Sequence, residues 1–139
     1  MKILVAQGAN MAYLGKRQPE IYRTTTAAEL DAILHRHASA RGYALEIFYT
    51  HIEGEAIERI YQALDSSIDG LVINPAGFLH AKPPVVEVHM SDIDKRGLHS
   101  VTAEAARGIV AGFGIRSYLM GLNAVADLIA DERSAAAKK

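Results

Sequence analysis

Apolar runs and polar punctuation alternate along this chain at a regular spacing. Lys2-Ile3-Leu4-Val5-Ala6 is a short apolar run that empties into glycine and polar residues, the mark of a first strand. Thr26-Ala27-Ala28-Glu29 has the spacing of a capping box, and Leu30, Ile33, Leu34 and Ala38 then recur on one face until Gly42, which predicts a helix. Ala44 to Tyr49 reads as a second strand, and the polar turn Thr50-His51 leads into a helix with Ile57, Ile60, Tyr61 and Leu64 as its apolar positions. Gly70-Leu71-Val72-Ile73 is a continuous apolar run of the kind a central parallel strand carries, and it delivers Asn74 at its carboxyl end. Val85 to Met90 and Gly108 to Phe113 predict a fourth and a fifth strand. A last helix carries Ile115, Tyr118, Leu119, Leu122, Val125, Ala126 and Ile129 on its apolar face, and residues 134–139 are expected to fray.

This succession predicts a three-layer α/β sandwich around a five-stranded parallel sheet, for which the flavodoxin-like order 2-1-3-4-5 is the simplest arrangement. No repeat or low-complexity linker interrupts it, so residues 1–133 are expected to form one domain. A chain of 139 residues, half of them hydrophobic, is enough for a single core. Its net charge of -1 and 6% aromatic content give no footprint for nucleic acid or anionic membrane, so neither partner is expected. The absence of cysteine excludes disulfides, thiolate nucleophiles and cysteine metal sites. With no apolar run of membrane-spanning length and no signal-peptide pattern, a cytoplasmic protein is the default expectation.

In a parallel sheet, ligands bind beyond the carboxyl ends of the strands, so chemistry is sought there first. The stretch from Gly8 to Tyr22 follows the first strand and holds an amide (Asn10), a fixed cation (Arg17) and a phenol (Tyr22). A base beside a guanidinium can abstract a proton, although a turn residue and a packing anchor would read the same way. A phosphate loop is excluded, because six residues separate Gly8 from Gly15 and Arg17 replaces the required Ser or Thr. Asn74, Gly77 and His80 follow the third strand, and Glu87, His89 and Ser91 lie on or after the fourth; all should converge at one edge of the sheet. Glu87 and His89 are two apart on a strand and share a face, where the carboxylate can hold one imidazole nitrogen and orient the other. Standing alone, the same pair is more often the mark of a structural network. His35 and His37 lack a third ligand at helical spacing and read as surface residues.

Three segments resemble the motifs of the type II 3-dehydroquinate dehydratases: GAN at 8–10 with LGKRQPEIY at 14–22, INPAGFLH at 73–80, and VVEVHMSDIDKR at 85–96. The similarity runs from Lys2 to the last helix. It implies a lyase that dehydrates 3-dehydroquinate to 3-dehydroshikimate through an enolate, with no metal or cofactor. By the same resemblance, Tyr22 matches the base, Arg17 the cation that favours its phenolate, and His89, next to Glu87, the acid. Asn10 matches the holder of a water that stabilises the enolate. Asn74, Gly77, His80 and the backbone of Met90 and Ser91 match contacts to the substrate, and Arg96 a basic residue at the mouth of the site. The resemblance also implies a homo-oligomer, a dodecamer of trimers.

The chain departs from this pattern in two places. Only residues 75–84 separate the third strand from the fourth, where the family carries a helix with an acidic residue that reaches a neighbouring subunit. A second shortening falls at Arg96-Gly97-Leu98-His99-Ser100, where the family has an arginine that grips substrate hydroxyls. Gln7, Ala9 and Tyr13 also replace more usual residues around Asn10. A parallel crossover normally needs a dozen residues or more, so a natural segment longer than this one is expected. The alternatives are a paralogue acting on another cyclic hydroxy-ketone and a non-catalytic binding or assembly protein.

Overall fold

In the computed structural model the described residues are 1–16, 24–75, 84–100, 102–103 and 106–137. They form five strands and three helices: β1 (Lys2–Gln7), α1 (Ala27–Ala40), β2 (Ala44–Tyr49), α2 (Glu53–Leu64), β3 (Gly70–Asn74), β4 (Val85–His89), β5 (Gly108–Ala111) and α3 (Arg116–Ala136). The strands make one sheet in the order β2-β1-β3-β4-β5, every neighbouring pair parallel. This is the architecture expected from the alternation of apolar runs, in the flavodoxin-like order expected by analogy.

The two-residue period of the strands divides the core. Ile3 and Val5 of β1, Val72 of β3 and Val86 and Val88 of β4 pack with Leu30, Leu34 and Ala38 of α1 and Tyr118, Leu122 and Val125 of α3. Leu4, Ala6, Leu71, Ile73 and Val85 face the other way, against Ala56, Ile60 and Ala63 of α2. Burial on both faces explains why β3 reads as an unbroken apolar run. The expected capping box is present: Thr26 Oγ1 accepts from the Glu29 N–H at 3.2 Å, and the Thr26 N–H donates to Glu29 Oε2 at 2.8 Å. Gly121 brings α3 onto the sheet, since a Cβ there would stand 2.5 Å from Val88 Cγ1.

Four differences from expectation have local causes. Tyr61 is 55% exposed, because the buried stripe of α2 runs through Ala56, Ile60 and Ala63 and Tyr61 lies a third of a turn away. β4 stops at His89, and Met90 falls in the bend beyond it. β5 stops at Ala111, because Gly112 takes a left-handed conformation (φ 92°) and turns the chain toward α3. α3 continues to Ala136, although its residues from Ala130 to Ala136 are exposed.

The connection between β3 and β4 was expected to be too short, yet the two strands pair in parallel from Leu71↔Val85 to Ile73↔Glu87. Strands of five residues are only about 17 Å long at roughly 3.3 Å per residue, and ten extended residues reach about twice that. The observed pairing therefore lies within the reach of the residues between the two strands. No helix of the described residues is long and apolar enough to cross a membrane.

Candidate active site

The carboxyl edge of the sheet is assembled by short-range ties between successive strand ends. The Gly8 N–H donates to the Asn74 carbonyl at 3.0 Å, binding the loop after β1 to the end of β3. Asn10 sits in the left-handed region (φ 72°), the only non-glycine residue to do so among the described residues, and opens the 3-10 turn Met11–Tyr13. Asparagine tolerates that conformation better than most residues. Its N–H donates to His51 Nδ1 at 3.0 Å, and the His51 ring lies against Tyr13 with centroids 5.6 Å apart. The loop after β2 thus latches the loop after β1.

Asn74 ends β3 with its side chain nearly buried. Its Nδ2 donates to the Tyr118 hydroxyl at 2.6 Å and points at Met11 Sδ at 3.3 Å, and Tyr118 in turn donates to Gln7 Oε1 at 2.6 Å. Gln7 and Tyr118 are both sealed from solvent. Burial pushes the Tyr118 phenol up, against opposing hydrogen bonds from Asn74 and Gln7, so its proton stays in place.

A second cluster stands on β4. Glu87 is fully buried, and its two oxygens are divided: His89 Nε2–H donates to Oε1 and Thr102 Oγ1–H donates to Oε2, each at 2.5 Å. Ser100 lies within 3.1 Å of the Thr102 hydroxyl. Burial alone would raise the Glu87 carboxyl, but the hydrogen bonds from His89, Ser100 and Thr102 outweigh it and hold the pKa below the ordinary 4.5. With Nε2 committed to Glu87, the His89 nitrogen left for a ligand is Nδ1.

The two clusters leave the sheet on opposite faces. Gln7 and Asn74 continue the face of Val5 and Val72, under α1 and α3, whereas Glu87 and His89 continue the face of Val85. They share the carboxyl edge and do not hydrogen-bond to each other. Beyond β4, the Met90 carbonyl accepts from the Gly114 N–H at 2.9 Å, and Ser91 Oγ accepts from Arg96 Nη1 at 3.0 Å. Arg17, Tyr22, Gly77 and His80 lie outside the described residues.

Sequence reasoning missed Tyr118, Thr102 and His51 as partners of site residues. The available signal was a hydroxyl-bearing tyrosine in the apolar stripe of α3 and a glutamine closing the apolar run of β1.

The model of the family described as Dehydroquinase class II matches residues 1–126. The chain belongs to that family. A 3-dehydroquinate dehydratase of Leptothrix cholodnii is 42% identical over 143 aligned positions, covering 93% of this chain and 96% of the relative. One from Syntrophotalea carbinolica is 41% identical, covering 92% and 96%. Among solved structures, the type II dehydroquinase of Propionibacterium acnes superposes with a TM-score of 0.81 at 34% identity, covering 93% of this chain and 96% of that one. The type II dehydroquinase of Butyrivibrio crossotus gives 0.83 at 27%, covering 90% and 97%. Membership of the class II dehydroquinases places the chain among carbon–oxygen lyases. An alignment of 143 positions exceeds the 139 residues of the chain, so gaps open in this chain against its relative, in keeping with the short connections read from the sequence.

Proposed function

We propose that this protein is a type II 3-dehydroquinate dehydratase, a lyase that removes water from 3-dehydroquinate to give 3-dehydroshikimate through an enolate. The observation that supports it most is the buried Glu87 carboxylate holding His89 Nε2 at 2.5 Å at the carboxyl end of β4, in a chain of this family. A proton next to a ketone is too weakly acidic for a bare side chain, so the enolate needs positioned donors while a tuned base takes the proton. Tyr22 is that base. A free phenol has a pKa of about 10, and Arg17 supplies the charge that favours the phenolate.

The enolate oxygen is stabilised through a water held by Asn10. As the enolate collapses, the bond to the tertiary hydroxyl breaks, and that oxygen takes a proton from His89 and leaves as water. An imidazolium can give up its Nδ1 proton while Glu87 keeps the Nε2 proton in place. Tyr22 has gained one proton and His89 has lost one, so a single transfer between them, through solvent, resets the site. Asn74, Gly77, His80 and the backbone of Met90 and Ser91 hold the substrate, and Arg96 flanks the entrance. Assembly into trimers and a dodecamer belongs to the same reading, and light scattering on the purified protein checks it.

The test is the absorbance of a conjugated enone when purified protein meets 3-dehydroquinate. Tyr22→Phe should bring turnover close to background, and His89→Ala should lower it by about 10²–10⁴-fold, the usual worth of a general acid or base. Folded protein that yields no enone would replace this reading with another cyclic hydroxy-ketone substrate or a binding role.

A further inference from the structure

The hydrogen bonds behind Asn74 have a direction, and it is set outside the site. Tyr49 OH donates to Asp31 Oδ1 at 2.7 Å, and a carboxylate can only accept, so the Tyr49 proton is committed to Asp31. Gln7 Nε2 is sealed from solvent with no partner that meets hydrogen-bond geometry. It stands beside the Tyr49 hydroxyl, near enough to offset part of the rise that burial imposes on that phenol. The Gln7 carbonyl faces Tyr118, whose proton goes to Gln7 Oε1 at 2.6 Å, and this leaves the Gln7 nitrogen on the Tyr49 side. The Tyr118 oxygen is left as an acceptor, and Asn74 Nδ2 fills it at 2.6 Å. Met11 Sδ, itself only a weak acceptor, lies 3.3 Å from the same nitrogen. Both amide hydrogens of Asn74 are thus directed inward. Asn74 Oδ1 has no hydrogen bond among the described residues.

From this geometry we infer that Tyr118 is a positioning residue that locks the Asn74 amide in one orientation, so that Asn74 offers the ligand an acceptor, Oδ1, and no donor. The site at the end of β3 then selects a ligand group that can donate, a hydroxyl, over a ketone or ether oxygen at that place. The buried run from Asn74 through Tyr118 to Gln7 Oε1 resists reversal, because turning one amide over would leave two acceptors or two donors facing each other. The inference deepens the proposed dehydratase reading and rests on it for the identity of the ligand.

The test uses the full chain and two variants. Tyr118→Phe removes the hydroxyl and frees the Asn74 amide to turn. Gln7→Met keeps Tyr118 but removes the acceptor of its proton, which then swings toward Asn74 and demands Oδ1 inward. Both should raise KM for 3-dehydroquinate about tenfold while kcat changes less than about threefold, the effect of one misdirected hydrogen bond. In isotope-labelled protein, the Asn74 side-chain amide protons should be protected from solvent exchange, and each variant should speed their exchange at least tenfold. A packing role for Tyr118 alone would leave the Gln7→Met variant, where Tyr118 is intact, with wild-type KM and protection, and that result overturns the inference. A fall in kcat with unchanged KM overturns it also. If wild-type protein makes no enone, the dehydratase reading fails, and the exchange measurement still decides the orientation of Asn74.

Discussion

The Thr102 hydroxyl donates to Glu87 Oε2 at 2.5 Å, on the oxygen that His89 does not use. This second bond stops the carboxylate from rotating about its own axis and so fixes the direction in which Oε1 meets the imidazole. Thr102→Val keeps the shape and deletes the donor, leaving one buried carboxylate oxygen short of a partner. Turnover of 3-dehydroquinate should fall about 3- to 10-fold, less than in His89→Ala, and Thr102→Ser should restore most of it. Wild-type turnover in Thr102→Val would show that His89 alone holds Glu87.

Stability in acid should carry the signature of Glu87. Burial pushes its carboxyl up, the bonds from His89, Ser100 and Thr102 pull it down further, and the net pKa lies below 4.5. A folded-state pKa below the unfolded one gives a contribution that is complete above about 4.5 and is lost as the pH falls through the lower folded value. Glu87→Gln removes that contribution, so its unfolding midpoint should change less between pH values on either side of this window. Parallel curves for the two proteins would contradict the shift.

Gly15 is expected to tolerate no side chain. Its φ is +83°, and a Cβ would stand 3.0 Å from the Thr24 carbonyl oxygen and 3.1 Å from that of Thr25. Gly15→Ala should cost about 1–3 kcal/mol in denaturant unfolding through left-handed strain plus this contact. An unchanged midpoint would mean that the backbone of Thr24–Thr26 yields freely.

Asn10 separates backbone from side-chain roles. At φ 72°, Asn10→Gly should keep the fold at nearly full stability, whereas Asn10→Ala should lose roughly 1 kcal/mol more. Both delete the side-chain amide proposed to hold the water at the enolate, so both should lose activity to a similar extent. Activity that tracks stability across the two variants would assign Asn10 a purely conformational part.

What was legible in the chain is what local spacing encodes. The Thr26–Glu29 capping box, the apolar run of β3 and the shared face of Glu87 and His89 all follow from residues within a turn or a strand of one another. The alternation of runs gave the parallel α/β class, whereas the sheet order came by analogy with flavodoxin-like folds. Tyr118 was placed correctly on the buried face of α3, but its hydroxyl meets Asn74 and Gln7 at separations of 44 and 111 residues, which no periodicity records. Tyr61 shows the reverse error: the pattern of α2 admitted it to the apolar face, and only packing against the sheet chose Ala56, Ile60 and Ala63 over it.

The short link between β3 and β4 bears on the order in which the sheet can assemble. Leu71 and Val85 are neighbours across β3 and β4 yet only 14 positions apart in the chain, whereas Ile3 and Gly70, neighbours across β1 and β3, are 67 apart. Closing the longer loop costs about 1.4 kcal/mol more in chain entropy. The β3–β4 pair is therefore the cheapest parallel contact to form first, and β1, although it begins the chain, enters the sheet late, between β2 and β3. Gln7 arrives with it, so the buried bond from Tyr118 to Gln7 closes among the last.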